Sequence, residues 1–362
     1  WDGNNLAFAS ELRAILALPW VPRRLNEGMV AEFLANEWHS RDETFWQNVH
    51  RLEPAHRMTV DAAGPRQDRY WQPDPWTAPP SEDEDELVEH YLSLLTDVVR
   101  RMSRSTGPLA CEVSGGLDSS ALFAVAEHLR RRGELLAPSL DGYTLAFDDG
   151  SDADELSYAR AVGEHLGVPI REIAPTTKPL DWYRERARRY HDFPSYPNGV
   201  MGLGIREHAV ARGSRALLVG VGGDEWLGGS RLYYAEALAE REWRTLYECW
   251  SADRRDVGVV TSLGWLARSG LAPFLSQPVK RSLKAILSHA HKPSFDTTSW
   301  LAPALREDLK QRRQRDSILP ASMTKRAGQR RQVFTILSVF AAQARELEER
   351  LASDAGIEIR RP

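Results

Sequence analysis

Residues 114–120, Ser-Gly-Gly-Leu-Asp-Ser-Ser, combine residue types that suit the binding of a polyphosphate. Gly115 and Gly116 let the backbone turn sharply and approach a ligand with no Cβ in the way. The amides that follow would form the positive end of a helix, where phosphate oxygens bind, and three serines add hydroxyl donors. The stretch lacks the lysine of the G-x-x-x-x-G-K-[ST] loop, so it is not the common kinase-type phosphate loop.

Asp118 is unexpected among phosphate-binding groups because its carboxylate would repel the ligand. A cation between them removes the repulsion, so the pattern predicts Mg²⁺ bridging Asp118 and a polyphosphate. The alternative is a plain strand-to-helix turn with an aspartate near the helix N-cap.

A second glycine-rich segment, Gly-Val-Gly-Gly-Asp-Glu-Trp-Leu-Gly-Gly, occupies residues 220–229. Asp224 and Glu225 follow an apolar run through three glycines, so a second carboxylate could face Asp118. Two such acids can share one Mg²⁺. A tight turn with a helix-capping aspartate is the alternative.

The elements that must position these residues alternate between apolar runs and amphipathic patterns. Apolar runs at 109–113, 143–147, 168–173 and 215–221 predict strands, and patterns at about 119–132 and 156–166 predict helices. Short buried strands separated by helices indicate an α/β fold with a doubly wound parallel sheet, because parallel strands need crossovers. Both glycine-rich segments follow strands, and ligands of such sheets bind at the carboxyl ends of the strands.

One clear boundary divides the chain. Residues 70–80 contain four prolines and predict a linker. An acidic run after Ser81 predicts the first turn of a helix that ends near Arg104, because a helix N-terminus favours anions. We therefore predict two domains, 1–78 and 81–362.

Composition excludes several classes of protein. The 362 residues are 42% hydrophobic and 27% charged with a net charge of −4, so a basic nucleic-acid binder is not expected. Cys111 and Cys249 are the only cysteines, which excludes a disulfide framework and favours a reducing, cytoplasmic location. No stretch approaches the roughly 20 apolar residues of a membrane span, so no membrane partner is expected.

These residues together resemble the asparagine synthetase family. Residues 114–120 resemble its pyrophosphatase loop, and residues 222–225 with Gly228 and Gly229 resemble its second signature. Segments before residue 73 resemble the closing part of its glutaminase-like domain, and "GIEIRRP" at the end resembles the start of a further signature.

The resemblance implies a synthetase domain of the adenine nucleotide alpha hydrolase-like (HUP) type, preceded by the remnant of a glutaminase-like Ntn hydrolase domain. It implies an ATP- and Mg²⁺-dependent, AMP-forming ligase that adenylates a carboxylate and joins it to an amine. By matched position, the implied catalytic residues are Asp118, Asp224 and Glu225, and the implied Mg²⁺ ligands are Asp118 and Asp224. The implied nucleotide-binding residues are Ser114, Gly115, Gly116, Asp118, Ser119, Ser120, Leu145, Phe147, Gly222 and Gly223.

Departures from the family pattern favour one subtype. Asparagine synthetases usually have an acidic residue where this chain has Val221, whereas Glu112 and the segment 191–201 are more like lasso peptide cyclases. The expected partner is then a precursor peptide, or otherwise a small amino-acid substrate, with possible leader-binding and protease proteins. Glu112 could serve the site, but a half-buried acid bonded to its neighbours is the favoured interpretation.

Other interpretations remain open at this point. The chain could be a glutamine-hydrolysing asparagine synthetase, which needs a cysteine upstream of Trp1, or a non-catalytic nucleotide-binding scaffold. A tRNA-modifying function is weaker because no basic domain accompanies the loop. His191 and Asp192 could orient a substrate or cap a turn, and the basic residues of 306–331 are expected on a solvated helical face. We expect family segments, including a catalytic lysine, beyond Pro362.

Overall fold

A computed structural model describes residues 1–72, 83–148, 154–193, 197–224, 231–275, 298–315, 335 and 339–362. In chain order the helices are α1 (Leu12–Leu16), α2 (Glu27–Ala35), α3 (Glu84–Met102), α4 (Leu117–Arg131), α5 (Leu156–Leu166), α6 (Leu180–Tyr190), α7 (Leu203–Ala211), α8 (Tyr233–Glu240), α9 (Trp243–Val257), α10 (Val259–Trp265), α11 (Pro303–Arg315) and α12 (Val339–Ala355). The strands are β1 (His56–Asp61), β2 (Gly64–Arg69), β3 (Leu109–Glu112), β4 (Leu140–Leu145), β5 (Ile170–Ile173), β6 (Ala216–Leu218) and β7 (Glu358–Arg360).

The chain forms two compact units. The first unit comprises Trp1–Phe8, Leu18–Trp76 and Leu227–Ala341, and the second comprises Ala9–Ala17, Thr77–Trp226 and Ala342–Pro362. The domain boundaries expected from the sequence, 1–78 and 81–362, stay a prediction. Most of the expected linker, from residue 73 onward, lies outside the described residues.

The second unit is built on a parallel sheet in the order β5-β4-β3-β6-β7. The chain runs from β3 outward to β5, then returns to β6 on the other side of β3, so the strand order reverses between β3 and β6. Such a reversal opens a crevice at the carboxyl ends of the strands, where α/β sheets bind their ligands. The doubly wound parallel fold expected from the sequence is confirmed.

Two hydrophobic clusters cover the two faces of this sheet. On one face, Cys111 and Leu218 pack against Val99 of α3 and Phe123 of α4. On the other face, Ala110 and Leu217 pack against residues of α7 and α12, including Ile205 and Ala352. Successive residues of β3 point to opposite faces, so the sheet is buried on both sides, as parallel sheets are. Cys111 is therefore a packing residue, as expected.

Local signals in the sequence explain where several elements begin and end. The Asp83 side chain accepts hydrogen bonds from the Asp85 and Glu86 backbone N–H groups, so the acidic run does start a helix. Gly167 ends α5 in a left-handed conformation with φ of 64°, as its position predicts.

The observed strands differ from the sequence analysis in two places. β4 begins at Leu140, three residues before the expected start, because its pairing with β3 begins with Leu109 opposite Leu140. β7 was not expected, because its three residues, Glu358, Ile359 and Arg360, are too few to show a strand pattern. The strand forms through its pairing with β6.

The first unit contains the antiparallel β1–β2 hairpin and the helices α2 and α8 to α11. Among the described residues, no helix is long and apolar enough to cross a membrane.

Candidate active site

The turn after β3 has the geometry that the two glycines predict. Gly115 has φ of +92°, and a Cβ on it would lie 2.5 Å from the Cβ of Tyr158, so both conformation and space require glycine there. Gly116 is extended and caps α4 without a side chain. Gly116 therefore offers no side-chain acceptor to the first backbone N–H groups of α4, which lie at the carboxyl edge of the sheet.

The three serines of the turn have different roles. The Ser119 hydroxyl is buried; it accepts a hydrogen bond from the Ser114 N–H at 3.0 Å and contacts the Ser114 hydroxyl at 2.9 Å. Ser114 Oγ in turn accepts the Gly116 N–H at 3.2 Å. In contrast, Ser120 Oγ is buried and has no hydrogen-bond partner among the described residues. Ser119 shapes the turn, whereas Ser120 has bonding capacity left for a ligand.

The second glycine-rich segment lies directly against the first. A Cβ on Gly223 would overlap the carboxylate of Asp118, and a Cβ on Gly220 would lie 2.8 Å from the backbone nitrogen of Ser119. Glycines at these positions let the turn after β6 pack on the start of α4. The fold therefore joins the two motifs that the sequence separates by about a hundred residues.

The expected acids are only partly described. Asp118 is half-buried, and Asp224 follows Gly223 and is exposed. Glu225 and Trp226 lie outside the described residues. No cluster of three or more metal-ligating side chains occurs among the residues that the structure describes.

The residue types fit ATP with Mg²⁺. The Ser120 hydroxyl, buried without a described partner, and the amino-terminal amides of α4 suit phosphate oxygens. Mg²⁺ is commonly held by one or two carboxylates together with substrate phosphates and waters, so Asp118 and Asp224 do not need a third side chain.

Leu145 and Phe147 lie at the carboxyl end of β4, next to β3, and both are half-buried. Their position is compatible with the expected adenine contact, which stays a prediction. Gly222 has φ of +115° and open space around its Cα.

Glu112 is the last residue of β3, and Val221 lies three residues after the end of the neighbouring β6. Val221 is 42% exposed, so the position where the family pattern leads us to expect an acid faces outward. Burial raises the pKa of Glu112 to about 7, and Glu348 adds to the rise, against the lowering effect of Arg206 and Arg361. The bonds expected between Glu112 and its neighbours are not found among the described residues, where Arg206, Glu348 and Arg361 act on its carboxylate through their charges.

The residue that sequence reasoning missed is Arg206. It lies on α7, is only 5% exposed, and has two guanidinium nitrogens, Nε and Nη1, that are buried without a partner among the described residues. An arginine between Ile205 and Ala209, both of them core residues, was the signal that could have identified it.

His191 and Asp192 have structural roles in this unit. His191 ends α6 in a left-handed conformation with φ of 53°, and Asp192 pairs with Arg350 of α12 at 3.1 Å. Both side chains of that ion pair are nearly buried. These contacts favour the turn-capping interpretation over direct contact with a substrate.

Comparison with known proteins gives matches over both parts of the chain. Residues 90–362 match the family model of asparagine synthase, and residues 1–71 match that of a glutamine amidotransferase domain. The chain is 31% identical to amidase chry2 of Gibberella zeae over 250 residues, which cover 66% of this chain and 36% of that protein.

Two further relatives are similar. Amidase chyE of Penicillium rubens is 27% identical over 306 residues, covering 80% of this chain and 44% of the relative. The putative asparagine synthetase [glutamine-hydrolyzing] 2 of Methanocaldococcus jannaschii is 28% identical over 236 residues, covering 63% and 44%. The chain thus spans less than half the length of these curated relatives. Because the first family model matches most of the chain, this protein belongs to the asparagine synthase family.

Proposed function

We propose that this chain supplies the nucleotide site of an ATP-dependent, AMP-forming amide ligase. The observation that supports it best is the contact between the two glycine-rich turns. Gly223 leaves room for the Asp118 carboxylate, and the hydroxyl of Ser120, two residues further along α4, is buried without a described partner. This combination lies at the reversal of strand order, where the sheet favours a ligand.

ATP would activate a carboxylate of the substrate by adenylation, with release of pyrophosphate. The chain's own contribution is to hold the pyrophosphate oxygens on the α4 amides and the Ser120 hydroxyl. Asp118 and Asp224 would hold Mg²⁺ where negative charge develops on the leaving group. Preorganised donors at such a position stabilise the transition state more than the ground state.

We further propose that the amine is part of the substrate, as in the closure of a peptide macrolactam between an Asp or Glu side chain and the amino terminus. Val221 supports this, because it stands exposed where asparagine synthetases have an acid. An amine held beside its own activated carboxylate gains its rate from proximity, so an acid at that position is dispensable.

A glutamine-hydrolysing asparagine synthetase is the second candidate. It is favoured by the match of residues 1–71 to a glutamine amidotransferase domain and by the names of several relatives. A nucleotide-binding scaffold without activity is the candidate from another class.

The full-length protein distinguishes the three. It is supplied with ATP and Mg²⁺ and either a candidate precursor peptide without its leader, chosen from the neighbouring genes, or aspartate with glutamine or ammonium. We expect the peptide to lose one water by mass spectrometry, with no asparagine formed. Asparagine without peptide dehydration would establish the second candidate. If no acid supports ATP–pyrophosphate exchange, the candidate that agrees with the result is the nucleotide-binding scaffold without activity.

Two variants test the nucleotide site. Asp118→Asn should reduce ATP–pyrophosphate exchange at least about a hundredfold, because it removes a proposed Mg²⁺ ligand. Asp97→Asn, which changes an exposed aspartate on α3, is the matched control. Asp224→Asn should behave like Asp118→Asn, and the double variant should lose little more, since both acids would serve one ion. Independent, additive losses would argue against a shared ion.

A further inference from the structure

Glu112 and Arg206 lie on the same face of the sheet in the second unit. Glu112 is the last residue of β3, two residues before the phosphate-binding turn begins at Ser114. Its neighbour Cys111 faces the cluster that contains α4, so Glu112 points to the opposite face. That face is covered by α7, whose Ile205 and Ala209 pack on it.

The start of α7 approaches the Glu112 carboxylate closely. A Cβ on Gly202 would lie 3.8 Å from Glu112 Oε1, so the helix comes within van der Waals contact of the acid. The Arg206 N–H donates to the Gly202 carbonyl at 3.4 Å, one turn later. Helical side chains lean over the turn that precedes them, which directs the guanidinium of Arg206 toward Glu112. The lowering effect of Arg206 on the Glu112 pKa reflects this proximity.

The two groups face each other but do not bond. Nε and Nη1 of Arg206 are buried and have no hydrogen-bond partner among the described residues. Arg206, Glu348 and Arg361 act on the Glu112 carboxylate through their charges. Leaving buried donors unsatisfied is costly, so such groups in folded proteins usually have a partner in solvent or in a ligand. A ligand between them must present a donor to Glu112 and an acceptor to Arg206.

The surrounding charges do not take up this capacity. Arg361, which follows β7, pairs with Glu348 of α12 at 2.9 Å and also with Glu349. These groups act on Glu112 through space. Nε of Arg361 is also buried without a described partner, but its other two guanidinium nitrogens are bonded, so Arg206 is the neighbour of Glu112 with more donors left for a ligand.

We infer that Glu112 and Arg206 recognise an α-amino acyl group of the substrate, with Glu112 holding the ammonium and Arg206 the oxygen of the adjoining carbonyl or carboxylate. Free aspartate and the amino end of a peptide both carry this group. The inference rests on the proposed ligase function and extends it to the amino end of the substrate. It also accounts for an acid at β3 in a chain that has Val221 at the end of β6.

The raised pKa of Glu112 suits this role. An α-ammonium has a pKa near 7.7–8.0, so a carboxylate with a pKa of about 7 can take its proton at modest cost. The proton would move from the ammonium nitrogen to the carboxylate oxygen, which leaves the nitrogen lone pair free for attack.

Binding of glycinamide to the full-length protein, measured by calorimetry without ATP, tests the inference directly. Glycinamide carries an ammonium beside a carbonyl, N-acetylglycinamide lacks the ammonium, and ethylamine lacks the carbonyl. The wild type should bind glycinamide at least about tenfold more tightly than either analogue, because each loses one charge-assisted hydrogen bond.

Variants then assign the preference to the two residues. Glu112→Gln keeps the shape of the side chain and should abolish the preference over N-acetylglycinamide. Arg206→Met should abolish the preference over ethylamine. Two control variants, Glu358→Gln and Arg212→Met, remove one negative and one positive charge that are ion-paired at the amino-terminal edge of the sheet. Both controls should keep both binding preferences. Equal binding of the three compounds by the wild type, or an unchanged preference in Glu112→Gln, would overturn the inference.

ATP–pyrophosphate exchange shows whether the α-amino acyl group that binds belongs to a free amino acid or to the amino end of a peptide. The acids are L-aspartate, a synthetic peptide with a free glycine amino end and one internal aspartate, and the N-acetylated form of each. A KM that rises at least about tenfold on acetylation of aspartate alone assigns the site to the free amino acid, and a rise for the peptide assigns it to a peptide end. Exchange that ignores acetylation in both would overturn the inference. If no acid supports exchange while glycinamide is still preferred, the proposed function fails and the recognition site stands.

Discussion

The two units of this protein each bury an arginine beside a glutamate, but the two arginines differ in how many of their hydrogen bonds are made. In the first unit, Arg312 of α11 donates to Glu32 at 3.0 Å, to Glu43 at 2.9 Å and to Asp308 at 2.9 Å. In the second unit, Arg206 is buried to a similar degree, yet two of its nitrogens bond to no described residue.

The difference lies in how completely each charge is satisfied. Glu32 is fully buried, and its carboxylate also accepts the His39 and Ser40 backbone N–H groups. Although burial opposes it, hydrogen bonds from Arg312 and Asn26 keep the pKa of Glu43 below its usual value. A saturated cluster of this kind holds elements together, whereas an unsaturated pair at the edge of a ligand-binding sheet has capacity for a ligand.

On α11, Arg306, Lys310 and Arg313 are exposed, as expected for a solvated basic face, and Arg312 is the exception at 9% exposed. Residues 316–331 of the same region lie outside the described residues.

The largest effect should come from removing the saturated arginine. Arg312→Leu leaves Glu32 as a buried charge without its partner, which typically costs about 3–5 kcal/mol of unfolding free energy. Arg313→Leu, which breaks a more exposed pair with Glu37 on the same helix, should cost about 1 kcal/mol or less. Urea unfolding followed by tryptophan fluorescence measures both. Similar losses for the two variants would mean that the buried bonds of Arg312 stabilise the fold no more than the more exposed ion pair of Arg313 and Glu37.

The next largest difference in unfolding free energy should be that between alanine variants of two glycines, Gly28 and Gly202. A Cβ on Gly28 would overlap the Arg312 guanidinium, so Gly28→Ala should lower the unfolding free energy by about 1–3 kcal/mol through overpacking. A Cβ on Gly202 would lie at an ordinary contact distance from Glu112, so Gly202→Ala should leave stability nearly unchanged. It should weaken glycinamide binding, since it narrows the space beside the acid. If Gly202→Ala lost stability and Gly28→Ala did not, the tightly packed glycine would be Gly202 and not Gly28.

Replacement of the unsatisfied arginine should have a small effect on stability. Arg206→Leu removes two buried donors that gain no hydrogen bond from a described residue, and with them the desolvation penalty of burying unsatisfied donors. We expect a change in unfolding free energy within about 1 kcal/mol, in clear contrast to Arg312→Leu. A loss as large as that of Arg312→Leu would mean that Arg206 is a structural residue.

The smallest effect is a pH dependence. The folded state keeps the Glu112 proton up to about pH 7, whereas an unfolded glutamate loses it near pH 4.3. The stability contribution of Glu112 is therefore complete below about pH 4.3 and is lost as the pH rises through 7. Glu112→Gln should gain stability relative to the wild type between pH 5 and 8.

Glu358 provides a control of opposite sign. Its hydrogen bond with Arg360 lowers its pKa, so its contribution is present above the unfolded pKa and is lost as the pH falls. Glu358→Gln should lose a little stability relative to the wild type at neutral pH, and that loss should disappear in acid. Parallel curves for the two variants would contradict the environment described for Glu112.

Sequence reasoning predicted the elements with strong local signals. The helix that starts at the acidic run, the glycine that ends α5 and the turn around Gly115 are each determined by residues within a few positions of one another. It was less successful where pairing partners decide the outcome. β4 begins where β3 requires it to, and β7 exists because β6 offers an edge to pair with.

The candidate site divides along the same line. The sequence by itself determined that residues 114–120 form a turn suited to phosphate, because glycine conformation and amide direction are local properties. Only the tertiary structure brought Gly223 against Asp118, engaged the Ser119 hydroxyl within the turn and left that of Ser120 unsatisfied. It alone placed Arg206 opposite Glu112 without a bond, because the burial and satisfaction of a charge depend on what the rest of the chain packs around it.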